Sequence, residues 1–300
     1  MPTAAHYALV VFAWGLTWIA IHMQVDALPI AVSVLYRFAL AGGLLLLVLG
    51  WRGALPRLAP HVHGWLLLLG LCLYSTNFLF IYEAEVRLTS GFVAVVFSLA
   101  SLLNAANAWL FFRQRPPRRT LAAAALGIVG LLLLFRHELR WQHGEWIGPA
   151  CAFLGTYMFS LGNMVSTRVR RFGIGVFPAN AYAMGYGALL LAGWVGIHRL
   201  PLAIPASGTY WGAMAFLVLI GTVLAFGSYL TLVHRIGAAR AGYATVLFPI
   251  VALSASTWLE GYVWTPLAFV GVALVLAGNA VMFWPAARGN AGLHTAREKA

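Results

Sequence analysis

Runs of about twenty apolar residues, each long enough to cross a bilayer as a helix, recur along the whole chain. They fall at roughly 5–24, 29–51, 63–85, 89–111, 119–136, 146–167, 176–197, 209–234, 239–260 and 264–285, and the links between them are too short to hold a soluble domain. Lipid offers a peptide group no hydrogen bond, so such runs must satisfy their backbone internally, as helices. Only 9% of the 300 residues are charged, against about 25% in a soluble domain, so polar groups could not cover a globular surface. The expected fold is an all-α integral membrane protein with ten transmembrane helices. Ala5 to Met23 lacks a basic leader and is long enough to remain as an anchor. Cys72 and Cys151 both sit in apolar runs, and no disulfide is expected.

Loop charge sets the orientation. If the N-terminal side is called side A, all but four of the loop and terminal basic residues fall there; Arg87, Arg136, Arg140 and Arg199 fall on side B. The acids Asp26, Glu83, Glu85, Glu138, Glu145 and Glu260 lie at side B ends. Side A is therefore expected to be cytoplasmic, with both termini inside. The net charge of +12 does not point to nucleic acid, because the basic residues lie in short loops and not along one stripe.

Gly91–Leu102, "GFVAVVFSLASL", aligns without gaps on Gly242–Leu253, "GYATVLFPIVAL", with Gly91/Gly242, Val95/Val246, Phe97/Phe248 and Leu102/Leu253 identical. These segments open the fourth and ninth spans. An offset of five spans inserts the second copy upside down and creates a pseudo-two-fold axis in the membrane plane, the plan of many secondary transporters. Chance likeness between apolar helices is the competing reading. The expected division is a first five-helix repeat over residues 1–140, a second, inverted one over 141–287, and a polar cytoplasmic tail over 288–300.

Three segments carry a family resemblance: "AWGLTWIAIH" (Ala13–His22), "LPIAVSVLYRFALAG" (Leu28–Gly42) and "FPIVALSASTWLEG" (Phe248–Gly261). They resemble the EamA type of the drug/metabolite transporter superfamily over essentially residues 5–285. "STWLEGYVW" and the aromatic content are closest to the family's aromatic amino acid exporters of bacterial inner membranes. The resemblance implies export of aromatic amino acids (Trp, Phe, Tyr) or similar small molecules by alternating access. A monomer in the bilayer suffices for that scheme, and no cofactor is implied. The first half departs from the pattern, since Trp109 stands where the second half has Glu260.

Depth sorts the candidate cargo residues. Most tryptophans lie near helix ends and read as an interfacial belt. Trp14, Thr17 and Trp18 lie mid-span on one helical face. Tyr74, Phe78 and Tyr82 recur every four residues in span three, with Asn77 beside them; Ser101 lies in span four, and Tyr157, Ser160 and Asn163 in span six. Aromatic and amide groups at one depth suit a zwitterion with a flat side chain, although such stripes also serve helix packing. Pro249 should kink span nine and permit rocking.

Ion coupling needs an ionisable group deep in the bundle. At the midplane the spans carry no Asp, Glu, Lys or His, while Glu83 and Glu260 lie toward side B. Uncoupled facilitated diffusion is therefore expected, with proton-coupled drug or metabolite antiport through Glu83 or Glu260 as the alternative. Arg37, inside span two, either snorkels toward side B, to pair with Glu83 or Glu85 or to latch helix carbonyls, or meets a cargo carboxylate. An enzyme is not expected: there is no H-E-x-x-H motif, a single Asp (Asp26) lies in a loop, and no metal cluster is legible.

Overall fold

The computed structural model describes residues 1–113, 118–138, 146–236 and 244–283. These form successive helical stretches and, among the described residues, no strand: α1 (Thr3–His22), α2 (Ile30–Trp51), α3 (Pro60–Glu85), α4 (Ser90–Phe112), α5 (Arg118–Glu138), α6 (Ile147–Val169), α7 (Val176–Ile197), α8 (208–236), α9 (Ala244–Leu259) and α10 (Pro266–Phe283). They follow the ranges read from hydropathy. By length and composition, Thr3–His22, Ile30–Trp51, Pro60–Glu85, Ser90–Phe112 and Gly208–Tyr229 are each able to cross a membrane. The expected boundary at 140/141 and the tail over 288–300 lie outside the described residues.

Helix pairing carries a two-fold pattern. α2 packs on α7, α4 on α9 and α5 on α10, each a pair five helices apart. Six further contacts come in exchangeable couples: α1 with α9 and α6 with α4, α3 with α6 and α8 with α1, α3 with α7 and α8 with α2; the contacts of α1 with α4 and of α2 with α3 have no mate of like extent among the described residues. Swapping α1–α5 for α6–α10 maps each coupled contact onto another.

Close approach at the pairs five helices apart depends on small residues. A Cβ on Gly271 would lie 2.6 Å from the Gly130 carbonyl oxygen, and one on Gly130 would lie 2.5 Å from the Gly271 carbonyl oxygen. Backbone cannot give way there as a side-chain tip could. Gly42 meets Met184 and Gly185 across α2–α7 in the same manner, and Gly91 meets Leu253 and Ser256 across α4–α9.

Irregularities also fall in matched places. α3 contains a π segment at Cys72–Thr76, and its counterpart α8 contains one at Phe216–Leu224. α4 breaks at Ser98 and Leu99 between Ser90–Phe97 and Ala100–Phe112, while α9 carries Pro249 inside the helix. Ser98 and Pro249 are partners in the ungapped repeat alignment. Wide turns and breaks of this kind concentrate at functional sites.

Gly271→Ala is expected to lower the melting temperature in detergent by an overpacking cost of about 1–3 kcal/mol. Gly193→Ala, where a Cβ would meet nothing within 4 Å, should leave it unchanged or slightly raised. Equal behaviour of the two variants would contradict the packing assigned to α5–α10.

Candidate functional site

One ring from each of four helices meets at the centre of the pairing pattern. Trp18 (α1) lies 5.0 Å from Phe97 (α4) and 6.1 Å from Phe248 (α9), and Phe97 lies 4.7 Å from Phe159 (α6) and 6.4 Å from Phe248. Phe97 adjoins the α4 break and Phe248 adjoins Pro249. The Trp18 indole N–H is buried without a hydrogen-bond partner. The sequence reading chose Trp18 but passed over Phe97, Phe159 and Phe248. The signal was present for two of them, since Phe97 and Phe248 are an identical pair in the repeat.

The other sequence-chosen residues are spread around this box. Trp14 donates its indole N–H to the Gly221 carbonyl (3.1 Å), inside the π segment of α8, and packs on Phe226 and Tyr229. Thr17 bonds the Trp14 carbonyl, with Gly221 against its methyl group. Tyr74 donates to Asn180 on α7 at 2.9 Å. Asn77 donates to the Gly155 carbonyl on α6 at 2.6 Å. Ser160 accepts from Asn107, and Asn163 donates to Asn104, so both tie α6 to α4. Ser101 donates to Asn279 on α10, whose amide also reaches Ser98 at the helix break. Tyr157 is part-buried on α6. Asn77, Ser101, Ser160 and Asn163 thus join helices in this conformation.

A polar layer closes the bundle toward side B. Tyr82 donates to Gln24 (2.9 Å), Gln24 donates to the Tyr210 carbonyl (3.4 Å), and the Tyr210 hydroxyl bonds Ser33 (3.1 Å). Arg37 is buried against this layer. Its guanidinium carbon lies 4.4 Å from the Phe78 ring centre and 5.4 Å from that of Phe38, and Tyr82 is its polar neighbour. Its Nε and Nη1 have no hydrogen-bond partner, and no acid pairs with it among the described residues. The expected pairing with Glu83 or Glu85 is therefore absent. Glu83 instead binds Arg87, four residues on and just past the end of α3, at 2.6 Å on the surface. Glu85 turns toward His22.

Glu260 accepts from the Ser90 backbone N–H (3.0 and 3.1 Å) and from the Ser90 hydroxyl (2.8 Å). From just past the end of α9 it thereby supplies the negative cap that the start of α4 requires. His22 lies 3.2 Å from Glu260 and 3.6 Å from Glu85. This grouping was missed because its members stand far apart in sequence; only their shared side B position hinted at it.

A buried guanidinium without an acid partner is costly, and apolar replacement of buried charge is often neutral or stabilising. Arg37→Met is accordingly expected to keep or raise the melting temperature in detergent. A stability loss of more than about 3 kcal/mol, the cost of breaking a buried pair, would show an acid partner that the structure does not give it.

The family model described as "EamA-like transporter family" matches residues 4–136 and again 146–284. A protein of Salmonella typhimurium named "Probable amino-acid metabolite efflux pump" is 25% identical over 90% of this chain and 91% of its own. The Escherichia coli K12 protein named "Uncharacterized inner membrane transporter YedA" is 25% identical over 91% and 89%, respectively. A protein of Streptantibioticus cattleyicolor named "Probable terminal-alkyne amino-acid exporter" is 27% identical over 90% and 89%. A solved crystal structure at 17% identity superposes with a TM-score of 0.65 over 99% of both chains, which shows the shared fold. With two matched segments spanning nearly the whole described chain, this protein is a transporter and not an enzyme, and it belongs to the EamA-like transporter family.

Proposed function

We propose that the protein exports small amino acids or amino-acid metabolites with a flat side chain, by alternating access across a bacterial inner membrane. The observation that carries this reading is the ring box of Trp18, Phe97, Phe159 and Phe248. It takes one ring from each of the four helices at the repeat interface, beside both helix breaks, where secondary transporters hold cargo. An aromatic cargo would exchange ring–ring contacts worth about 0.5–1.5 kcal/mol each. The free Trp18 N–H offers a donor to its carboxylate, and Arg37 offers a second anchor toward side B. The names of the Salmonella and Streptantibioticus relatives support the amino-acid class, and that of YedA supports the inner membrane.

Transport in this scheme opens side B by separating the two repeats, 1–140 and 141–287, with hinges at Ser98 and Pro249. The excess of basic residues in the side A loops supports a cytoplasmic side A. The ring box holds no ionisable group, which favours uncoupled export. The specific observation behind a proton-coupled second reading is that Glu85, which is buried, and Glu260, whose side chain is 5% exposed, lie beside His22.

Tryptophan flux into liposomes containing the purified protein tests both readings. Saturable flux without a gradient, competed by phenylalanine and tyrosine, is the expected result. Phe97→Ala should raise the half-saturation concentration by about 2- to 10-fold, the loss of one ring pair; Phe12→Ala, on the exposed side of α1, should not. Flux that needs a pH gradient would move the mechanism to antiport. No tryptophan flux in protein that remains folded would overturn the aromatic cargo.

A further inference from the structure

The ends of α1, α3 and α9 converge on side B and set three metal-ligand side chains against one another. His22 Nδ1 lies 3.2 Å from Glu260 Oε1 and 3.6 Å from Glu85 Oε2, and the three donor atoms all lie within 4.8 Å of each other. A tetrahedral ion with nitrogen and oxygen ligands at about 2.1 Å has ligand–ligand edges of about 3.4 Å. The two edges made by His22 bracket that value.

Two further features separate this group from an ordinary ion pair. The Glu260 carboxylate is held from behind by Ser90 N–H and Ser90 Oγ, the outer support that orients metal ligands. Glu85 is 1% exposed, and neither of its oxygens has a hydrogen-bond partner, His22 at 3.6 Å being too far. A buried carboxylate left bare in this way is costly. With a neutral imidazole the group carries two negative charges, which a divalent cation would cancel.

We infer that His22, Glu85 and Glu260 bind a first-row divalent cation of the zinc type, entering from side B. The imidazole nitrogen selects against calcium and magnesium. The His22 side chain is 38% exposed and marks the entrance. The site draws His22 and Glu85 from the first five helices and Glu260 from the second five, so a bound ion ties the two together where side B must part. It therefore holds the transporter closed.

The binding test does not depend on the transport reading. Full-length protein in detergent, stripped of metal, is titrated with zinc by calorimetry. One ion per chain is expected, together with a higher melting temperature. Glu85→Gln and His22→Gln should abolish both effects, Ser90→Ala should weaken binding by about 10-fold, and Glu83→Gln, on the exposed Arg87 pair, should change nothing. Melting of each variant without metal establishes that it is folded. Absence of binding, as when an imidazolium simply bridges the two carboxylates, overturns the site, as does binding that survives Glu85→Gln and His22→Gln. In liposomes, side B zinc should slow wild-type flux and spare the Glu85→Gln protein. Zinc bound without slowing flux overturns the latch but keeps the site, while absent flux with intact binding condemns the transport reading alone.

Discussion

A carbonyl or amide that leaves its helix inside a bilayer finds no water, so another part of the protein must meet it. This requirement explains why the irregular points of the structure are also its joints. The π segment of α8 exposes the Gly221 carbonyl, and Trp14 of α1 bonds it. The break in α4 is held by Asn279 of α10 through Ser98 and Ser101. The open N-terminus of α4 is closed by Glu260 at the end of α9. In each case the partner comes from a helix far away in sequence. A transporter needs bends in its helices, and here the bends are affordable because the opposite half completes them.

Hydropathy made the helices legible, since lipid imposes one answer on each long apolar run. The repeat was legible at Gly91–Leu102 and Gly242–Leu253, because equivalent helix starts keep equivalent packing residues. The site was less so. Period-four stripes found Tyr74, Phe78 and Tyr82, but periodicity within one helix cannot tell a cargo face from a packing face. Tyr74 turned out to bond Asn180, and Tyr82 to bond Gln24. The ring box needs four helices, and only the repeat alignment hinted at two of its members.

Charge was misplaced for a related reason. Arg37 and the acids of α3 share a side of the membrane, and depth alone suggested a pair. Side-chain direction decides otherwise. Glu83 faces outward to Arg87, Glu85 faces inward to His22, and Arg37 lies over Phe78. Two residues apart on a helix is enough to send two glutamates to different solvents.

The pairing map has a consequence for biogenesis. α1 rests mainly on α9 and α8, whereas its counterpart α6 rests on α3 and α4. Contacts that are equivalent by symmetry are therefore opposite in time. α6 leaves the ribosome to find its neighbours already in the membrane. α1 enters ahead of α8 and α9 and waits for them to be made before Trp14 can reach Gly221. The symmetry of the finished bundle conceals an assembly that closes by capturing α1.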